Sequence, residues 1–173
     1  MTDKLRSEKI EYNVGDTGPA GGLVFYINPN HETDGWRYLE AAPSDCPGND
    51  NSDRIQWGNI CWRTTCATTT AIGTGKANTQ KIVNIQGNGS YAAKLCCDLT
   101  LNGFSDWFLP SKDELNLMYE NLHLHLLGGF ASDLYWSSSE YIEGYALFQY
   151  FNGRGQSYYG KHDSLRVRAV RAF

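Results

Sequence analysis

The chain has 173 residues, a net charge of −4, 41% hydrophobic residues and 20% charged residues, as expected of one globular domain. The acidic balance gives no basis for a nucleic acid-binding function, and no apolar run approaches the ~18 residues of a membrane-spanning helix. Residues 1–11 are charged and lack the apolar core of a signal peptide, so the sequence leaves the compartment open.

The N-terminal part of the chain is rich in strand-forming patterns. Residues 21–27 (GGLVFYI) follow a Gly/Pro turn and are apolar, β-branched and aromatic, which predicts a strand. Residues 35–43 (GWRYLEAAP) predict a second strand that ends at a proline. Residues 44–70 are rich in Asn, Asp, Ser, Thr and Cys, and we expect a long irregular loop held in place by Trp57 and Trp62.

Helices are predicted in the middle of the chain. Residues 76–86 and 91–99 form two candidates separated by GNGS. A third begins at Ser111, which makes an S-x-x-E capping box with Glu114, and ends at Gly128-Gly129. Its apolar residues follow the i, i+3, i+4, i+7 spacing of a core-facing stripe: Leu115, Met118, Tyr119 and Leu122.

Three strand-like segments complete the chain, at residues 133–139, 145–151 and 165–173. Strands at both ends with helices grouped between them indicate an α+β fold.

The sequence contains no constellation that would support catalysis. Residues 73–77 (GTGKA) are no phosphate-binding loop, because Thr70 stands where the first glycine belongs and Ala77 replaces the magnesium-binding Ser/Thr. His123 and His125 would lie on different faces of a helix, with no third ligand nearby. The serines of WSSSE lack the nucleophile-elbow glycines. We therefore expect no enzymatic activity, no cofactor and no metal site.

The cysteines lack the paired C-x-x-C spacing of a zinc site. The pattern predicts buried thiols and room for one disulfide within the loop. The five cysteines are Cys46, Cys61, Cys66, Cys96 and Cys97.

Aromatic residues are concentrated near the C-terminus, where residues 130–173 contain eleven of the 23 Phe, Tyr and Trp residues. Strand alternation cannot bury all of them on one face. Two interpretations stay open: a core strand followed by a glycine-rich hairpin, or a binding surface in which tyrosines supply contact area with few rotors to order. The residues in question are Phe148, Tyr150, Phe151, Tyr158 and Tyr159.

Ordered segments along nearly the whole chain resemble one bacterial family. They read GDTGPAGGLVFY, GWRYLEAAP, ATTTAIGTGKANT, AAKLCCDLTLNGFSDWFLPSKDELNLMYENL, YWSSSEY and RVRAVRAF. The resemblance implies a C-type-lectin-like fold of the formylglycine-generating-enzyme type, with a β-rich N-terminus, two to three central helices and antiparallel C-terminal strands. It implies one domain at residues 14–173 preceded by an extension at residues 1–13.

Many members of this family are variable proteins of diversity-generating retroelements, in which error-prone copying at adenines diversifies AAY codons near the 3′ end of the gene. The resemblance implies a variable region at about residues 142–165. Within it, the scaffold positions would be Ala146, Gln149, Phe151, Gln156 and Lys161. The diversified, ligand-binding positions would be Tyr145, Phe148, Tyr150, Arg154, Ser157, Tyr158, Tyr159, His162 and Asp163.

The function that the resemblance implies is ligand binding by a diversified Tyr-rich surface on a rigid scaffold, in the manner of a receptor or adhesin. The partner would be a protein or another cell-surface ligand, and the location the cell surface or a phage particle, with no membrane insertion by this domain. One alternative is a structural or adhesin module without diversification. Another is a formylglycine-generating-type oxidase, against which stands the absence of any cysteine after Cys97.

Overall fold

The computed structural model describes residues 10–48, 52–153 and 155–173. The N-terminal strands β1 (Leu23–Ile27) and β2 (Tyr38–Ala41) pair antiparallel, with the short helix α1 (His31–Asp34) between them. The last strand of the chain, β8 (Val170–Ala172), pairs antiparallel with β2 and completes a three-stranded sheet. The first and last segments of the domain are thus neighbours in one sheet.

A buried carboxylate connects the two ends of the chain in this sheet. Glu40 is fully buried and accepts hydrogen bonds from the N–H groups of Gly22 (2.7 Å) and Ala20 (3.2 Å). The Arg171 guanidinium donates to the other oxygen at 3.2 Å and also binds Asp106. These bonds satisfy a charge that would otherwise destabilise the core.

The central helices are α2 (Gly75–Gln86), α3 (Ala92–Asp98) and α4 (Lys112–Asn121), close to the predicted bounds of the first two. The predicted capping box is confirmed: the Ser111 hydroxyl accepts from the Glu114 N–H, and the Glu114 carboxylate accepts from the Ser111 N–H. All four residues of the predicted apolar stripe are buried. The predicted end of this helix is wrong, because α4 stops at Asn121 and a 3-10 turn (His123–His125) follows.

A second three-stranded antiparallel sheet contains β4 (Leu134–Ile142), β5 (Tyr145–Tyr150) and β6 (Gln156–Gly160), in that order. Strand β6 lies in the glycine-containing stretch for which the sequence left a hairpin or a binding surface open. A small two-stranded sheet joins β3 (Ile55–Gln56) to β7 (Ser164–Leu165). The single strand predicted at residues 165–173 is therefore wrong, since β7 and β8 belong to different sheets.

Helix α4 packs between the two three-stranded sheets. One core cluster joins its Leu115 and Met118 to Phe25 of β1 and to Tyr135 of β4. The other cluster is built from α2, α3 and several tryptophans, among them Trp57 and Trp136. Antiparallel sheets and centrally grouped helices make this a mixed α+β fold, as the sequence predicted.

One expectation for the irregular parts of the chain changes. All five cysteines lie in the described residues and are free thiols, so the loop disulfide that the sequence allowed is absent from them. Tyr12 packs edge-on against Tyr38 and Phe173, with ring centroids 5.3 and 5.5 Å apart. Tyr12, which precedes the implied boundary at residue 14, thus contacts residues of the first sheet and the C-terminus. None of the helices in the described ranges is long and apolar enough to cross a membrane.

Candidate functional site

Three tyrosines form an exposed cluster on one face of the β4-β5-β6 sheet. The rings of Tyr141 and Tyr158 are stacked, with centroids 4.5 Å apart and planes 13° apart. Tyr145 meets Tyr158 edge-on at 5.8 Å. Each of the three residues is between 38% and 48% exposed. These rings, which we call the tyrosine cluster, present a large apolar area that is already ordered by mutual contact.

Tyr159 lies on the opposite face of the sheet from Tyr158, because successive side chains of a strand alternate. It is 47% exposed and its ring packs 5.9 Å from that of Phe148. Tyr158 and Tyr159 therefore flank the same strand from two sides, although the sequence grouped them as one exposed pair.

Phe148 does not belong to the exposed site. It is only 2% exposed, lies in the core opposite Trp136, and is covered at its edge by the half-buried Tyr150 at 4.8 Å. The prediction that Phe148 faces a ligand is wrong, since strand alternation turns it inward together with Ala146. The half-buried Ser157 shares this face.

Two further predicted positions, His162 and Asp163, lie at the turn between β6 and β7. The His162 side chain is 59% exposed and approaches the carboxylate of Asp163 at 3.8 Å. Arg154 lies outside the described residues.

Trp62 belongs to this surface, on the long loop, although the sequence predicted that it would hold that loop in place. It is 68% exposed and its ring stacks on His162, with centroids 6.5 Å apart and planes 26° apart. A Cβ atom at Gly144 would lie 2.8 Å from the Trp62 ring, so the absence of a side chain there admits the indole. Trp57, by contrast, is fully buried and does hold the loop in place.

A buried ion pair lies between the loop that carries Trp62 and the β4-β5-β6 sheet. Lys161 and Glu140 are both fully buried and directly paired. The Lys161 ammonium also donates to the Arg63 carbonyl at 3.2 Å and lies 4.9 Å from the Trp57 ring centre. Glu140 accepts from the N–H (2.9 Å) and the hydroxyl (3.0 Å) of Thr65. The pair thereby connects the loop that carries Trp62 to the sheet that carries the tyrosines.

The other positions that the resemblance implied as scaffold are also held by the fold. Phe151 is 1% exposed and packs against Tyr135 with ring centroids 4.4 Å apart. The Gln156 amide donates to the Lys112 carbonyl at 2.7 Å and accepts from its ammonium at 3.0 Å. Ala146 and Gln149 are buried. Substitution at these positions would disturb packing, whereas the tyrosine cluster can change at little cost.

Three of the five thiols, those of Cys46, Cys61 and Cys96, are partly or fully buried and poorly suited to nucleophilic chemistry. Burial raises the pKa of Cys61, whose thiol donates to the Gly58 carbonyl at 3.3 Å. Burial likewise raises the pKa of Cys96 well above its ordinary value. A hydrogen bond from Cys96 lowers the pKa of Cys46, but that residue is buried. Among the described residues, no group of three or more His, Cys, Asp or Glu is placed to hold a metal ion.

Comparison with known proteins finds structural likeness but no matching family. No protein-family model matches the chain, and no curated protein matches it. A solved fimbrial protein from Bacteroides ovatus ATCC 8483 superposes with a TM-score of 0.52 at 11% sequence identity, over 84% of this chain. The match spans 38% of the fimbrial chain, so this chain corresponds to less than half of that protein. At this identity the likeness concerns the fold alone.

Proposed function

We propose that this chain is a ligand-binding protein with a C-type-lectin-like fold, and that it is a variable protein of a diversity-generating retroelement. The observation that carries the proposal is that β5, β6 and the following turn contain both buried positions and exposed tyrosines. Positions implied as scaffold are buried or hydrogen-bonded, while Tyr145, Tyr158 and Tyr159 are exposed on the same two strands. Such a surface can vary while the core stays constant.

The chemistry of the surface suits protein recognition. Tyr and Trp side chains are enriched among the residues that dominate binding energy, because they bury large areas with little loss of rotamer freedom. The tyrosine cluster and Trp62 supply rings of this type within one region of the domain. The proposed partner is a protein or another cell-surface ligand, and the proposed setting is the surface of a cell or a phage particle.

The DNA around the gene tests the retroelement assignment. We expect a near copy of the codons for residues 137–173, with AAY codons at the exposed positions, beside a reverse transcriptase gene. The codon for Phe148 is informative as well, because a buried aromatic should be constant in the template. A gene with neither a template copy nor a reverse transcriptase nearby would refute this assignment.

The fimbrial neighbour favours a second candidate, a structural or adhesin module without diversification. In that case the tyrosine cluster would be covered in an assembly of neighbouring domains. The two candidates differ in solution behaviour: a module built for assembly should form oligomers in which Tyr158 is protected from solvent. A monomer with accessible tyrosines would favour the receptor function.

A further inference from the structure

Strand β6 forms an open edge of the second sheet. The other edge strand, β4, is covered, because its N–H groups donate to carbonyls of neighbouring segments. These bonds run from Trp136 to Arg166, from Ser138 to Pro110 and from Glu140 to Ala67. Strand β6 pairs with β5 on one side, and no other described strand pairs with it.

The register of the hairpin decides which backbone groups of β6 face outward. The Lys161 N–H donates to the Gly144 carbonyl at 2.8 Å, and the Tyr150 N–H donates to the Gly155 carbonyl at 3.1 Å. These bonds mark hydrogen-bonded pairs at both ends of the hairpin, and in an antiparallel ladder such pairs alternate with non-hydrogen-bonded ones. The non-hydrogen-bonded pairs are therefore Tyr145 with Gly160, Leu147 with Tyr158, and Gln149 with Gln156.

Residues in non-hydrogen-bonded pairs direct their N–H and C=O groups away from the partner strand. Both backbone groups of Gln156 and of Tyr158 thus point to the open edge, where no described residue binds them. The Gly160 N–H points the same way, while its carbonyl accepts from the Asp163 N–H at 2.9 Å. The edge offers alternating donors and acceptors at the spacing of an extended peptide.

The edge also lacks the usual protection against strand pairing. The five residues of β6, QSYYG, include no charge and no proline, the two commonest devices that discourage pairing at an edge. Tyr158 and Tyr159 stand on its two faces, where they would contact alternate side chains of an added strand. Backbone bonds would supply affinity for any sequence, and the tyrosines would supply selectivity.

We propose that an extended segment of a partner protein binds as a fourth strand along Gln156–Gly160. This inference rests on the proposed ligand-binding function and specifies its mode. Pairing with β6 of a second copy would cover the tyrosines that ligand binding requires, which argues for a partner segment. The arrangement combines a constant backbone edge with variable side chains.

A single proline substitution at Tyr158 tests the strand addition. Because the Tyr158 N–H points outward, Tyr158→Pro removes no bond to β5, and proline is tolerated in edge strands at such positions. Tyr158→Val removes the same ring but keeps the N–H. Phage-displayed random peptides of about seven residues, selected on the wild-type protein, serve as the probe. We expect the selected peptides to bind Tyr158→Pro about tenfold more weakly than Tyr158→Val.

Hydrogen exchange on the wild-type protein gives a readout that needs no variant. In the free protein, the Ser157 and Tyr159 amides should be protected and the Tyr158 amide should exchange freely. Addition of a selected peptide should protect the Tyr158 and Gly160 amides.

Each contrary outcome refutes a distinct part of the reasoning. Equal loss in the proline and valine variants would refute strand addition and leave the side-chain binding surface intact. If the selected peptides neither protect the amides of the β6 edge nor lose affinity when Tyr158 is replaced, the proposed binding surface is refuted as well. The strand-addition proposal would be overturned if no selected peptide protects the Tyr158 amide. It would also be overturned if a dimer of the protein protects this amide without any peptide.

Discussion

Replacing Lys161 by methionine should destabilise the protein strongly, although Lys161 lies next to the exposed tyrosines of β6. The substitution keeps the volume and the apolar stem but removes the charge that faces Glu140. Both side chains are fully buried, so the remaining carboxylate would have no access to water. Its bonds from Thr65 would remain.

The magnitude follows from the burial. Removing one partner of a buried ion pair costs about 3–5 kcal/mol, because the other charge is left uncompensated. The hydrogen bond to the Arg63 carbonyl and the contact with the Trp57 ring are lost as well. For a domain of this size each kcal/mol shifts the melting temperature by roughly 2–4 °C, so we expect a decrease of about 6–20 °C.

Urea unfolding followed by circular dichroism measures this change directly. Lys76→Met, at an exposed position, is the matched control and should stay within about 0.5 kcal/mol of the wild type. The double variant Lys161→Met/Glu140→Gln should recover part of the loss, because it removes the unpaired charge. A loss below about 1 kcal/mol for Lys161→Met would refute the reasoning that this pair supports the fold.

Three further predictions concern stability and the surface. Phe151→Ala should cost about 3–5 kcal/mol, whereas Tyr158→Ala should cost less than about 1 kcal/mol and weaken, without abolishing, the binding of peptides selected on the wild type. A large fall in melting temperature for Tyr158→Ala would instead indicate a core residue. Burial raises the pKa of Glu114 to about 7 from an ordinary 4.5. Between about pH 4.5 and pH 7 the folded state therefore binds more protons than the unfolded state. The free energy of unfolding should fall by roughly 3 kcal/mol as the pH rises through this range. Glu114→Gln should lose that dependence in urea titrations from pH 4.5 to pH 8, and an unchanged slope would contradict it. Gly144 has a φ of +81°, so Gly144→Ala should cost roughly 1–2 kcal/mol. The new methyl group should also displace the Trp62 ring and change tryptophan fluorescence. If the same fluorescence change occurs in a Trp62→Phe background, the signal does not come from the Trp62 indole and the prediction fails.

The sequence by itself predicted the parts of the fold that depend on neighbouring residues. A capping box and an apolar repeat are local signals, and so α4 begins where Ser111 and Glu114 indicated. The bounds of α2 and α3, and the existence of β1, β2, β4 and β5, follow from similar short-range patterns. The division into scaffold and ligand-binding positions came from the family resemblance. The structure exposes Tyr145, Tyr158 and Tyr159 but buries Phe148.

Only the tertiary structure decided how distant residues meet. Lys161 binds Glu140, 21 residues away, and the Arg63 carbonyl, 98 residues away. Trp62 reaches His162 because Gly144 leaves room for its ring. No local pattern encodes such contacts, since they depend on how loops and sheets close over one another.

The register of the β5–β6 hairpin belongs to the same category. Composition marked the tyrosines as unusual, but it could not assign Tyr158 and Tyr159 to opposite faces or direct the Tyr158 backbone to an open edge. A shift of one residue in strand pairing would reverse every one of those assignments. The sequence therefore determined that this segment carries an aromatic surface, and the pairing of the strands determined which rings and which backbone groups that surface presents.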